Sequence, residues 1–126
     1  MWCEFFSDTS IVIERDHKIV GFVSGFVQPE APDTLFIWQV AVDESERGKG
    51  LATEMLLQLY NRTKPQGIRY FEATVSPSNI PSQQLFLGLS EKLNAPCIVS
   101  ECFSTDDFPE SGHEDEWIYR IGPLLN

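Results

Sequence analysis

Long apolar runs are missing from this 126-residue chain, and none approaches the roughly 20 residues that a helix needs to cross a bilayer. Cations are scarce. Nine Lys and Arg stand against nineteen Asp and Glu, and the net charge of −10 argues against nucleic acid or a membrane surface as partner. Cysteine is scarce as well: Cys3, Cys97 and Cys102 are odd in number, lack CxxC spacing and have no histidine pair nearby. Neither a disulfide framework nor a metal site is therefore expected, and the thiols are read as reduced, in a cytoplasm. The opening MWCEFFSDTS has neither the basic region nor the apolar stretch of a secretory signal. Repeats and low-complexity segments are absent, and the length suits a single domain over residues 1–126.

What is present alternates strands with helices. SIVIE (10–14) and IVGFVSGFV (19–27) read as a hairpin about the turn RDHK, and QPEAPDT (28–34) reads as a loop by its prolines and acids. LFIWQVAV (35–42) is apolar except for Gln39, as expected of a central strand covered on both faces. Leu51, Met55, Leu56, Leu59 and Tyr60 recur at helical spacing, and IRYFEATV (68–75) is the next strand. SPSNIPSQQLFLGLSEKLN opens with capping residues and a proline, then spaces Leu85, Phe86, Leu89 and Leu93 for a second amphipathic helix. PCIVSECF and EWIYRI close the chain as two strands around the acidic STDDFPESGHED. The order β-β-β-α-β-α-β-β predicts an α/β domain with a mixed sheet, in which residues 35–75 form a parallel crossover.

Between strand and helix stands DESERGKGLA (43–52). Glycines let an anion approach the backbone, Arg47 can fork onto its oxygens, and the first helical turn offers unpaired N–H groups. The alternative is a turn whose cations are merely solvated. A P-loop would need glycine at Asp43 and Ser or Thr at Gly50, and a dinucleotide fingerprint would need a third glycine after an opening strand. Neither pattern fits.

The pattern R-x-x-G-x-A, met by Arg47, Gly50 and Ala52, resembles the pyrophosphate loop of the Gcn5-related N-acetyltransferases. The element order is similar too, with Asn79 opening the helix after the RYFEATV strand. The resemblance implies a mixed, mostly antiparallel sheet with a central pair of parallel strands that splay apart, flanking helices, and acetyl-CoA as co-substrate. By position, the backbone at Val40, Ala41 and Val42 would face pantetheine and the acetyl carbonyl. Arg47, Gly48, Lys49, Gly50, Leu51 and Ala52 would hold the pyrophosphate, with Asn79 and Ser82 on the far side. PDTLFIWQVAVDESERGKGLA and GHEDEWIYRIGP are further similar to the diaminobutyrate acetyltransferases of ectoine synthesis, which implies a small diamino acid as partner and a homodimer. Two departures stand out. Phe86 occupies the position where many of the family carry a tyrosine acid, and the chain is expected to begin at the family's second strand, with MWCEFFSD as the end of a preceding helix and an exposed sheet edge behind it.

On the acceptor side, an alkylamine of pKa about 10.4 must lose a proton before attack, at a cost of about 4–5 kcal/mol at pH 7. Trp38 and Gln39 are candidates for orienting the acceptor, although a tryptophan in an apolar strand is often simple core. Thr74 is either an ordinary β-former or a substrate donor. From Glu101 to Glu116 the chain holds seven carboxylates and no Lys or Arg, most of them read as a solvated loop. Glu114 and Glu116 enter a strand and could bind an ammonium; His113, Glu116 and Glu72 are the candidate bases, with a structural histidine the alternative at 113. The functional readings are a diaminobutyrate acetyltransferase, an acetyltransferase for another small amine, or a catalytically silent CoA-binding module.

Overall fold

A hairpin leads into the sheet. The computed structural model describes residues 2–7, 9–103 and 116–124, with only the backbone of residues 2–7, 102 and 103. Strand β1 (Trp2–Ser7) runs antiparallel to β2 (Ser10–Arg15). Residues 2–7 are therefore not a helix end, and the outer edge of the sheet, expected to lie exposed, is that of β1. Six residues make fewer than two helical turns, too few to hold a helix without support, whereas a tight antiparallel turn supplies ladder partners at once.

Asp16 and His17, at φ 52° and 66°, turn β2 into β3 (Lys18–Gln28). Two left-handed residues in succession match the twist of the strands they join. Strand β4 (Ala31–Val42) then starts four residues earlier than its apolar run suggests, within the expected loop and with Pro32 inside it. Pairing of β4 with its other neighbour begins only at Thr34, so the missing N–H of Pro32 falls on an edge. Helix α1 (Leu51–Thr63), β5 (Tyr70–Val75), α2 (Ile80–Leu93), β6 (Cys97–Phe103) and β7 (Glu116–Ile121) follow. The seven strands lie in the order β1-β2-β3-β4-β5-β7-β6, and among the described residues β4–β5 is the one parallel pair.

Both helices pack on one face of the sheet: α1 on β2, β3 and β4 and against α2, and α2 on β6 and β7. Ile11, Ile13, Val23, Leu35, Phe71 and Ile121 project from that face onto Met55, Leu56 and Leu59 of α1 and Leu89 of α2, all at most 1% exposed. The spacing of positions 55, 56 and 59 turns one side of α1 to the sheet, and burying each such side chain stabilises the fold by about 2 kcal/mol. On the opposite face, Phe26 and Phe36 stack at 5.3 Å between centroids, with Phe26 47% exposed.

The expectation that LFIWQVAV is covered on both faces fails at its second half. Leu35 and Ile37 are buried, but Trp38, Gln39 and Ala41 are exposed. The register passes from Gly25–Ile37 to Ser24–Gln39, leaving Trp38 as an unpaired bulge residue. A bulge bends and twists its strand, which breaks the alternation that the sequence displays. At Gly25 a Cβ would come within 2.7 Å of the Phe36 carbonyl oxygen, so glycine admits the close approach of the two strands beside the bulge.

Leu59→Ala should leave a cavity between α1 and the sheet and cost about 3 kcal/mol. Urea unfolding followed by circular dichroism should show a lower midpoint at unchanged slope.

Candidate functional site

Strands β4 and β5 pair at Thr34–Tyr70, Leu35–Phe71 and Phe36–Glu72 and then separate. The bulge at Trp38 lies just past the last pair, where bending carries β4 away from its neighbour. Between the parted strands opens a cleft of about 330 Å³. Trp38, Gln39, Val40 and Ala41 line it from β4, Thr74 from β5, and Asn79, Ser82 and Phe86 from α2. These are residues that the sequence placed at cofactor and acceptor, now brought together. Asn79 caps α2, its side chain accepting from the Ser82 N–H at 3.3 Å.

A second hollow of about 330 Å³ shares Val40 and Ser82 with the first and is lined by Val42, Arg47, Gly48, Gly50, Leu51 and Ala52. The two make one groove from the helix terminus into the splay. Gly48 and Gly50 have φ of 82° and 74°, where a side chain is strained, and a Cβ at either would meet no protein atom within 4 Å. Gly50 is the N-cap of α1 and brings no side-chain hydrogen bond. The first intrahelical bond is Glu54 N–H to the Gly50 carbonyl, at 3.0 Å, so the amides of Leu51, Ala52 and Thr53 are left for a ligand. Open space over left-handed glycines and an uncapped helix terminus fit an anion such as a pyrophosphate.

Charges in the loop are arranged from below. Asp43 accepts from the Ser45 N–H at 3.2 Å, and hydrogen bonds from Ser45, with Lys18 nearby, hold its carboxyl below the ordinary value. Glu46 is 3% exposed and receives Lys49 Nζ at 2.7 Å and Arg15 Nε at 2.9 Å. Lys49 first, and then Arg15, hold the Glu46 carboxyl low. Lys49, expected on the anion, thus turns its ammonium to Glu46 and does not line the groove. Arg47 is exposed, its Nε donating to the Val42 carbonyl at 3.4 Å.

The remaining candidates are scattered. His113 and Glu114 lie outside the described residues. Glu116 opens β7, one residue before the Trp117–Val75 pair, and does not line the cleft. Glu72 sits at the last β4–β5 pair, with Gln28 Nε2 donating to Oε1 at 3.0 Å and Arg120 paired to Oε2. Arg120 also lies 3.9 Å over the Tyr70 ring. Sequence reasoning passed over Arg120, although it is the one cation in EWIYRI. Phe86 is buried at the cleft, its ring 6.5 Å from that of Tyr119, and supplies no acidic hydrogen there.

Comparison with known proteins places these features in context. The model of the acetyltransferase (GNAT) family matches residues 1–89. The chain is 57% identical over 124 residues to the L-2,4-diaminobutyric acid acetyltransferase of Virgibacillus pantothenticus, covering 98% of this chain and 78% of that one. It is 52% identical to the L-2,4-diaminobutyric acid acetyltransferase of Oceanobacillus iheyensis, covering 98% and 70%. Among solved structures, the diaminobutyrate acetyltransferase EctA of Paenibacillus lautus, in complex with L-2,4-diaminobutyric acid and coenzyme A, superposes with a TM-score of 0.87 at 45% identity, over 96% of this chain and 74% of that one. The ribosomal-protein-S18-alanine N-acetyltransferase of Escherichia coli, at 20% identity and a TM-score of 0.65, shares the fold.

The Glu46 network makes a pH-dependent contribution to stability. A carboxyl held below its ordinary 4.5 in the folded state stabilises the fold fully above that value, and loses the contribution as pH falls through the lower folded value. Wild type should melt above Glu46→Gln at pH 7, and the gap should close below pH 4.5. A gap constant from pH 7 to about pH 3 would mean that the two ion pairs do not stabilise the loop.

Proposed function

The chain belongs to the acetyltransferase (GNAT) family, and from that premise we infer that it transfers the acetyl group of acetyl-CoA to the 4-amino group of L-2,4-diaminobutyrate. One observation carries the reading: a groove that starts at an uncapped helix terminus and ends in the splay of two parallel strands. Such a groove offers amides to a pyrophosphate at one end and strand backbone to an amide-bearing chain at the other. The high identity to diaminobutyrate acetyltransferases along nearly the whole chain supports the acceptor.

Residues take the following proposed roles. The amides of Leu51 and Ala52, the Gly48–Gly50 backbone and the Arg47 guanidinium hold the pyrophosphate; Lys49 acts through Glu46 to set the loop. Past the last β4–β5 pair, the cleft-side backbone of β4 at Val40, Ala41 and Val42 runs beside pantetheine, and an N–H there receives the charge that develops on the acetyl oxygen. Asn79 and Ser82 close the far wall. Trp38, Gln39 and Thr74 orient the acceptor, the exposure of Trp38 supporting substrate contact over a packing role. For the amine's proton, Glu72 already accepts from Gln28 and pairs with Arg120, which leaves Glu116 and His113 as proposed acceptors, with Glu114 beside them for an ammonium. The resemblance to the diaminobutyrate acetyltransferases of ectoine synthesis supports a place in that synthesis, as a cytoplasmic homodimer.

Phe86 favours one rival, a module that binds CoA without turnover, since it lines the cleft without a phenol hydroxyl. Turnover of diaminobutyrate decides between them.

Two measurements check the scheme. Gly50→Val introduces a β-branched side chain at φ 74°, and calorimetry should show CoA affinity falling tens-fold, about 2 kcal/mol; equal affinity would mean that the groove is not the cofactor site. Wild type should prefer diaminobutyrate to butylamine in kcat/KM by at least about tenfold, because a mono-amine leaves acceptor-side charges unpaired. Equal values would remove the diamino acid from the assignment.

A further inference from the structure

The glycine loop rests on the tip of the β2–β3 hairpin, whose residues 15–18 line neither hollow of the groove. Strand β2 ends at Arg15 and β3 begins at Lys18, paired across the left-handed Asp16–His17 turn. Both cations reach the segment between β4 and α1. Arg15 Nε lies 2.9 Å from Glu46 Oε1, and Lys18 Nζ lies 3.9 Å from Asp43 Oδ1. The backbone joins them, the Asp43 N–H donating to the Val20 carbonyl at 2.7 Å.

Between Asp43 and Gly50, Glu46 is the one buried residue. The space over Gly48 and Gly50 is open, so packing does not hold the loop at its apex. What holds it is the pair of bonds on Glu46: Arg15 takes Oε1 from the sheet, and Lys49 takes Oε2 from the loop itself. A carboxylate is a costly choice of anchor here. Glu46 lines the hollow that suits a pyrophosphate, and an acid facing an anion repels it. An apolar residue would be buried at less cost. Two cations reverse the sign, because one negative and two positive charges leave a net cation beside the groove. Lys49 alone would leave the cluster neutral and Oε1 buried without a partner.

We propose that Arg15 is a positioning residue for the cofactor. Through Glu46 it fixes the Arg47–Gly50 backbone for the pyrophosphate and cancels the repulsion of the acid, from a place outside the groove. The proposal rests on the groove being the CoA site. It assigns the hairpin tip a part in cofactor affinity and none in the chemistry at the splay, where the acetyl group reacts.

A double-mutant cycle tests it. Arg15→Gln keeps a polar side chain and removes the charge. CoA affinity by calorimetry should fall about tenfold, and the KM for acetyl-CoA should rise by the same factor at unchanged kcat. In a Glu46→Gln background, the same Arg15→Gln change should alter CoA affinity less than about twofold, because the acid through which Arg15 acts is gone. A role in folding alone would lower the melting temperature of Arg15→Gln and leave its CoA affinity at the wild-type value. Should Arg15→Gln fail to fold, Arg15→Lys, which keeps the charge and loses the guanidinium geometry, is compared in the same two backgrounds. A loss of about threefold is then expected only where Glu46 is present. Folded Arg15→Gln that binds CoA as wild type does, or an equal loss with and without Glu46, overturns the role of Arg15 and leaves the groove as the cofactor site. Wild type that binds no CoA overturns the reading of the groove itself.

Discussion

The parting of β4 from β5 after three residue pairs is the constraint on which the site depends. A parallel pair continued to Val42 and Val75 would spend the backbone groups of both strands on each other. Once the strands separate, those groups need partners, because a backbone N–H or C=O withdrawn from water without a bond costs several tenths to a few kcal/mol. A cofactor with amides of its own can supply them. The bulge at Trp38 starts the separation, and Gly25 permits the close approach that the bulge requires. A single extra residue in β4 therefore shapes a groove formed by three elements.

A chain of net charge −10 binds an anionic cofactor by local means. The N-terminus of α1 carries the equivalent of about half a positive charge, and it faces the groove without a competing side-chain cap. Buried Glu46 alone would oppose that field, but Lys49 and Arg15 neutralise it on two sides. The acid thus serves as an anchor for the loop, tying it to Arg15 of β2. On the far side of the sheet the same device recurs at Glu72 and Arg120, with a guanidinium edge left open. Glu46 lines the groove at its helix end, and because its charge is answered at once the field there is set by the groups beside it.

The sheet is dressed unequally. One face carries both helices and the close-packed Ile, Leu and Phe core; the other bears Phe26, Phe36 and Trp38 with considerable exposure. Rigid packing on the first face holds the loop and the helix terminus in place, while the second leaves room for an acceptor beside the splay. Leu35 and Trp38 are both apolar residues of β4, yet one is sealed in the core and the other lines a cleft, because the helices cover only one side of the sheet.

The sequence by itself determined the order of elements from residue 10 onward, the helical face of α1, and the glycine loop with its anion chemistry. Each depends on local periodicity or on a conformation that glycine alone adopts cheaply. The residues proposed for the acceptor side, Trp38, Gln39 and Thr74, look like ordinary strand residues in the sequence, and only resemblance singled them out. Tertiary structure decided the rest. It made a strand of Trp2–Ser7, because ladder partners on β2 outweigh a weak local helical preference. It exposed the second half of β4, because a bulge is a property of two paired strands and not of one. It turned Lys49 away from the groove and set Arg120 against Glu72, partners 48 residues apart in the chain. Ion pairs between distant strands have no periodicity to betray them; only the register of β5 against β7 brings those two charges face to face.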